Sequence, residues 1–199
     1  MKRFNEDEVD KLAQILKNDG VISVPTDTVY GICARIDSIE AYNNLIRTKN
    51  RPLTKPFPVM CANIEQIKKI AIVDEKSKKI IDKFMPGPIT IVLNKQNELQ
   101  DYITNGKNTI AIRMATSKVL EKLILKVGCP VFMSSANQSG EPTCKTVDEI
   151  ERSCPNIDGI LEGSLKFGQA STIVDCTCEN INILREGPIL KEQINDILK

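Results

Sequence analysis

The chain has 199 residues, 41% of them hydrophobic and 27% charged, with 27 Lys and Arg against 26 Asp and Glu for a formal charge of +1. That is enough chain for one core, and the balance gives no whole-molecule attraction to nucleic acid, although a local basic groove stays open. The absence of histidine excludes Ser-His-Asp and Cys-His hydrolysis in their standard forms and any His-ligated metal, so proton transfer near neutral pH falls to Lys, Tyr, Cys, a shifted carboxylate or the substrate itself.

In chain order, residues 5–19 read as a helix: Asn5 caps it, Glu8 sits at the capping-box position, and Val9, Leu12, Ala13 and Leu16 keep helical spacing up to Gly20. The apolar run 21–24 is a strand that Pro25 stops, and Pro25-Thr26-Asp27-Thr28-Val29-Tyr30-Gly31 follows as a turn rich in hydroxyls with one carboxylate. Ser38 caps a helix carrying Tyr42, Leu45 and Ile46, which runs out into residues 47–56, where two prolines imply extended chain. Residues 57–62 are a short strand, and helices follow near 63–69 and 74–84. Met85-Pro86-Gly87-Pro88 is a sharp connector into strand 89–94, and 109–114 is a further strand. Ser117 caps helix 118–127, Gly128 ends it, and 130–133 is a buried strand entering Ser134-Ser135-Ala136-Asn137. Thr146 and Glu149 form a capping box, strands lie near 159–161, 171–175 and 181–184, and Pro188 opens a terminal helix.

Several strands join without a helix, so the expected class is α/β (α+β): a twisted, mixed, partly antiparallel sheet with surrounding helices, in one domain over 1–199. No apolar run reaches the ~18 residues of a membrane helix. The N-terminus turns acidic where a signal peptide is apolar. Both features point to a cytoplasmic protein with no membrane contact. The seven cysteines are irregularly spaced and include no C-x-x-C; Cys33, Cys61 and Cys129 read as small core residues, and a zinc set from Cys144, Cys154, Cys176 and Cys178 lacks paired knuckles.

The glycine cradles of the common phosphate sites are missing, so cationic side chains must do more of the holding. Lys49-x-Arg51-Pro52-x-x-Lys55-Pro56 offers them: in extended chain Lys49 and Arg51 share a face, and two converging cations suit a polyphosphate. The same segment also fits a solvated basic loop. Arg113 ends an apolar strand, where a guanidinium clamps a carboxylate or phosphate or pairs internally, and Arg185 repeats that design. Ser135 and Asn137 offer a hydroxyl and an amide beyond a buried strand, and Ser171 and Thr172 place hydroxyls at the start of another.

Taken in order, the 25–31 turn, Lys49-x-Arg51-Pro52, Pro86-Gly87-Pro88-x-Thr90, Arg113, Ser134-Ser135-Ala136-Asn137-x-Ser139-Gly140, Ser171-Thr172-Ile173-Val174-Asp175 and Arg185-x-Gly187 resemble the YrdC family of threonylcarbamoyl-AMP synthases, from about residue 10 to residue 190. The length resembles the single-domain form of the family. The resemblance implies a twisted sheet with a concave basic groove. It also implies an enzyme, a nucleotidyltransferase, that makes L-threonylcarbamoyl-AMP from L-threonine, bicarbonate or CO2, and ATP with Mg²⁺, for the threonylcarbamoyl modification of tRNA. A downstream tRNA threonylcarbamoyl transferase complex would take the product. A protein-bound metal cluster is not implied.

By position, Thr28, Arg113, Ser135 and Ser171 would contact threonine, with Arg113 on its carboxylate. Lys49 and Arg51 would hold the ATP phosphates and carry the catalysis, with Lys55 beside them. Asn137 and Arg185 match nucleotide-binding positions, and Thr109 and Lys145 align more loosely with ATP contacts. The chain departs from the family pattern at Met60, where histidine is frequent, at Lys55, where some members have Asn, and at Ala115, which breaks an Arg-x-Pro pattern. The alternatives are a non-catalytic module for double-stranded RNA or tRNA, and a carbamoyl-adenylate enzyme of the hydrogenase-maturation type, which is a much longer chain.

Overall fold

Side chains two apart on a strand share a face, and that alternation buries two separate apolar cores on the two sides of one sheet. The structure, a computed structural model, describes residues 1–114 and 116–198. Its strands are β1 (Lys2–Phe4), β2 (Ile22–Pro25), β3 (Tyr30–Arg35), β4 (Val59–Cys61), β5 (Ile89–Asn94), β6 (Thr109–Met114), β7 (Val131–Ser135), β8 (Gly159–Leu161), β9 (Thr172–Asp175) and β10 (Asn182–Arg185). They form one mixed sheet in the order β1-β8-β2-β3-β7-β4-β6-β5-β9-β10. The pairs β1/β8, β2/β8, β4/β6 and β5/β9 are parallel and the rest antiparallel. The helices are α1 (Val9–Lys17), α2 (Ile39–Lys49), α3 (Ile64–Ile70), α4 (Glu75–Phe84), α5 (Asp101–Thr104), α6 (Lys118–Val127), α7 (Val147–Ser153) and α8 (Lys191–Asp196). The expected mixed, partly antiparallel sheet with surrounding helices is what forms.

Tyr30, Ile32, Val59, Ile89, Ile91, Ile110, Ile112 and Phe132 bury one face of the sheet beneath Tyr42 and Leu45 of α2, Ile67 of α3 and Ile80 of α4. Each such fully buried side chain contributes on the order of 2 kcal/mol. On the opposite face, Ile22, Val24, Cys33, Met60, Val131 and Met133 meet Leu12 and Leu16 of α1 and Leu120, Leu123 and Ile124 of α6. No residue of β5, β6 or β9 belongs to this second core. The two helices cover half of that face, and the other half is left as the floor of a groove.

Several helix starts follow from their caps. Asn5 and Glu8 make the expected capping box, although the first turn, Glu6–Glu8, is a 3-10 turn rather than α-helix. The side chains of Ser38, Asn63, Asp74, Ser117 and Thr146 each accept a backbone N–H in the first turn of the helix that follows, worth about 1 kcal/mol apiece. Gly128 ends α6 at φ 93°, a left-handed conformation that glycine adopts without strain. The terminal helix begins at Lys191 rather than at Pro188.

One expectation is overturned in the basic segment. Residues 47–49 are not extended: α2 continues through Lys49 and turns at Asn50, which sits in the left-handed region at φ 48°. Pro52 restricts only itself and the residue before it, which is Arg51, so nothing stops the helix earlier. Lys49 and Arg51 therefore do not share a face. The Lys49 side chain turns inward and is 1% exposed. Its Nζ donates to the Ser135 carbonyl at 2.6 Å, the Asn137 carbonyl at 2.9 Å and Asn137 Oδ1 at 2.8 Å.

The bonds around it form a staple. Asn137 Oδ1 also accepts from Ser135 Oγ at 2.8 Å. The Ser139 N–H donates to the Lys49 carbonyl at 3.0 Å, and Gln138 Nε2 donates to the Thr48 carbonyl at 3.0 Å. Together these tie the loop after β7 to the last turn of α2.

Burial, reinforced by the charge of Arg51, pushes the Lys49 ammonium down to about 8. Between that value and the ordinary lysine value of 10.5, the unfolded chain still holds a proton that the folded chain has released. Stability at this site therefore rises with pH across that window, and below it the full cost of burying the charge is felt. The unfolding free energy of the wild type relative to Lys49→Met should rise by about 3 kcal/mol between pH 7 and 11. Urea unfolding at a series of pH values measures this, and a difference that does not move with pH would mean that Lys49 titrates normally.

Candidate active site

The hydroxyl-rich turn closes a hairpin. Pro25 pairs with Tyr30 as β2 runs into β3, and the hydroxyl of Thr26 organises the four residues between them. Thr26 Oγ1 donates to the Val29 carbonyl at 2.7 Å and accepts from the N–H groups of Thr28 at 3.1 Å and Val29 at 3.2 Å, as Ser and Thr do in turns. Strand β3 has no counterpart among the elements expected from the sequence. It is buried on both faces, so it shows no alternation of apolar and polar residues, and Gly31 lies within it. The glycine's missing side chain leaves room for Met133, whose Sδ would lie 2.2 Å from a Cβ at Gly31 and would have to move aside.

Thr28 and Arg113 meet under this turn. Arg113 is 7% exposed; its Nη1 donates to Thr28 Oγ1 at 2.8 Å, its Nε to the Gly87 carbonyl at 3.0 Å, and its Nη2 to Asp27 Oδ1. These three bonds leave guanidinium N–H groups for a ligand, and Arg113 lines a cavity of about 410 Å³, within the usual range for small-molecule sites of about 300–1,000 Å³. Burial pulls the Arg113 pKa down while Asp27 opposes the shift; the group stays charged.

The rest of the wall comes from six strands and two loops. Thr28, Gly31, Met60, Thr90, Ala111, Met133, Ser135, Ser171 and Ile173 all face the cavity. Ser171 Oγ lies 2.8 Å from Thr90 Oγ1. Arg185 donates from Nε to the Ser171 carbonyl at 2.9 Å. Arg51 donates to the carbonyls of Lys55 at 2.8 Å and Pro56 at 2.9 Å, with its guanidinium carbon 4.6 Å from the centroid of Phe57. Phe57 packs with Tyr42 and Phe132, so the aromatic core beneath fixes the arginine above. Burial lowers the pKa of Arg51 and Arg185. Among the described lining residues there are three guanidinium groups and no carboxylate, a wall suited to an anionic ligand.

The expected site residues are thus partly assembled. Thr28, Arg51, Arg113, Ser135, Ser171 and Arg185 converge on one cavity. Lys49 lies behind its wall, held in the staple. The Asn137 amide is committed to Lys49, Ser135 and, through Nδ2, the Glu141 carbonyl, so it supports the loop from within. Lys55 is exposed on the adjacent turn and does not line the cavity. Thr109 is on the cavity face of β6 but two positions beyond Ala111, about 13 Å along the strand from Arg113. Lys145 lines a neighbouring depression that adjoins the cavity at Thr143. Ala115, expected to loosen the turn after Arg113, lies outside the described residues.

Sequence reasoning assigned no role to Asp27, Gly31, Thr90, Ala111 or Met133. Asp27 is 5% exposed, and its Oδ2 is buried without a hydrogen-bond partner among the described residues. A lone carboxylate amid hydroxyls is the only local signal for it; its partner is 86 residues away.

The chain is similar to known proteins in sequence and in fold. The family profile described as Sua5/YciO/YrdC, telomere recombination, matches residues 14–187. A Methanocaldococcus jannaschii relative whose name carries the words threonylcarbamoyl-AMP synthase is 34% identical over 94% of this chain and 90% of its own. The threonylcarbamoyl-AMP synthase of Bacillus subtilis is 32% identical over 98% of this chain, which spans 57% of that protein. Among solved structures, Pyrococcus abyssi Sua5 complexed with L-threonine superposes with a TM-score of 0.93 at 28% identity, over 99% of this chain and 60% of that one. Escherichia coli YciO superposes at 0.86 over 97% of this chain and 98% of that one; at 23% identity it supports the fold alone. With a profile match across most of its length and a relative 34% identical over 94% of the chain, the chain belongs to the Sua5/YciO/YrdC family.

Proposed function

We propose that the protein is a threonylcarbamoyl-AMP synthase, a nucleotidyltransferase that condenses L-threonine, CO2 or bicarbonate, and ATP into L-threonylcarbamoyladenylate and pyrophosphate. The observation that carries this reading is Arg113: a buried guanidinium at the cavity floor with N–H groups to spare, ringed by the hydroxyls of Thr28, Thr90, Ser135 and Ser171. Relatives support it, since P. abyssi Sua5 was solved with L-threonine and several relatives are called threonylcarbamoyl-AMP synthase.

In this reading Arg113 takes the threonine carboxylate through the bidentate geometry that guanidinium favours. Thr28, Ser135 and Ser171 hydrogen-bond the rest of the amino acid. Met60 and Met133 shield it from water. The neutral amine adds to the carbon of CO2, forming the N–C bond and giving a carbamate as a proton departs to solvent. A carbamate oxygen then attacks the α-phosphorus, the bond to the bridging oxygen breaks, and pyrophosphate leaves with that electron pair.

Nothing here requires a histidine. The rate comes from alignment and from neutralising phosphate charge, roles that Arg51 and Arg185 fill at the cavity edge. Lys49 acts behind them by holding the Ser135 loop. The described residues contain no group of three or more His, Cys, Asp or Glu that could hold a metal, and the donor set of the cavity is cationic. Mg²⁺ would therefore be carried on the ATP phosphate oxygens, where it would neutralise charge on the leaving group. The adenylate would pass to a tRNA threonylcarbamoyl transferase. No described helix is long and apolar enough to cross a membrane.

Incubation with ATP, Mg²⁺, threonine and bicarbonate should give the adenylate by mass spectrometry and pyrophosphate release that depends on threonine. Release independent of threonine would sink the reading. Arg51→Ala should raise the KM for ATP by ~10- to 100-fold, the loss of a charged hydrogen bond, with threonine binding little changed. Arg113→Lys keeps a charge beside Asp27 but loses the planar fork, so it should weaken threonine at least tenfold and ATP less than twofold. Equal weakening of both would argue against the carboxylate role.

A further inference from the structure

We infer that Asp27 is a positioning residue for the amino-acid substrate: it holds the Arg113 guanidinium at one point and in one orientation, so that the other edge is presented to the substrate carboxylate. This rests on the synthase reading above.

Arg113 is held from three separate parts of the chain, the Gly87 carbonyl, the Thr28 hydroxyl and the Asp27 carboxylate. Only Asp27 carries charge. With both partners more than nine-tenths buried, it is the counter-ion that offsets the cost of holding a charged guanidinium beneath a cavity.

The geometry of the pair is the telling feature. Arginine and carboxylate commonly meet through two parallel hydrogen bonds, which satisfy both carboxylate oxygens. Here one oxygen meets Nη2, and the other is buried with no partner among the described residues. Leaving a buried acceptor without a bond is costly, and such an arrangement persists where the surroundings over-determine it. The turn does so. Thr26 fixes its backbone and the Asp27 carbonyl accepts from the Phe167 N–H at 2.8 Å, while Arg113 Nε and Nη1, one of which a fork would need beside Nη2, are given to Gly87 and Thr28.

The guanidinium meanwhile is turned so that Nη1 meets Thr28 on the cavity wall. A forked pair with Asp27 would consume the N–H groups that a substrate carboxylate needs. Asp27 itself is absent from the cavity lining, so it acts through Arg113 and not as a base on the amine.

The test uses the full chain with Asp27→Asn and Asp27→Glu. Equilibrium binding of L-threonine, L-threoninamide and a non-hydrolysable ATP analogue is measured, together with steady-state kinetics. Asp27→Asn should weaken L-threonine and raise its KM at least tenfold, with the ATP KM within twofold and kcat within threefold. L-threoninamide, which has no carboxylate, should bind the wild type and Asp27→Asn alike. If Asp27→Asn does not fold, as judged by thermal melting, Asp27→Glu supplies the reading. It keeps the charge but displaces it, and threonine should again weaken with the amide unaffected.

Unchanged threonine binding in the variants would overturn the role. So would a loss shared equally by threonine, its amide and ATP, which marks a general structural defect. A wild type that binds no threonine would sink the synthase reading itself, an outcome separate from the other two.

Discussion

A guanidinium is expensive to keep away from water, and the architecture around Arg113 can be understood as the set of conditions that keep it there. The charge needs a counter-ion, supplied by Asp27 on the β2–β3 hairpin. Its remaining donors need acceptors, supplied by Thr28 and by Gly87 on the connector into β5. It also needs an open side, and β6 provides one because the core under α1 and α6 draws only on β1, β8, β2, β3, β7 and β4. A third helix over β5 and β6 would close the cavity and leave the arginine with no ligand to meet.

Around this centre the charges divide by depth. Lys49 is deep, its ammonium spent on three neutral oxygens, and it works as a strut. Arg51 and Arg185 are nearer the rim, where guanidinium groups bonded to backbone carbonyls keep donors available. The difference follows from chemistry as well as position. An ammonium is a compact point charge that a ring of carbonyls can satisfy fully, whereas a planar guanidinium fixed along one edge still presents the other. Arg51 adds contact with Phe57, so the aromatic core on the far side of the sheet bears directly on the geometry of the site.

Much of this protein is set by short-range rules that act on a few neighbouring residues. Ser38, Asn63, Asp74, Ser117 and Thr146 cap their helices as local chemistry requires, and strands β5, β6 and β8 run where continuous apolar residues place them. The sequence by itself also determined the residue types of the site, since an ordered set of hydroxyls, arginines and proline turns over nearly the whole chain points to one family. What it could not determine is which cation faces the ligand. Lys49-x-Arg51 reads as two converging charges, and a helix that runs to Lys49 separates them. It could not reveal β3, whose two buried faces erase the alternation that marks a strand, or the role of Asp27. Only the tertiary structure decided these points, because each depends on partners far off in sequence: Lys49 on Ser135 and Asn137, β3 on β7, Asp27 on Arg113. Local propensity is fixed by neighbours along the chain, but the direction in which a charged side chain turns is fixed by whichever acceptors the completed sheet brings within reach.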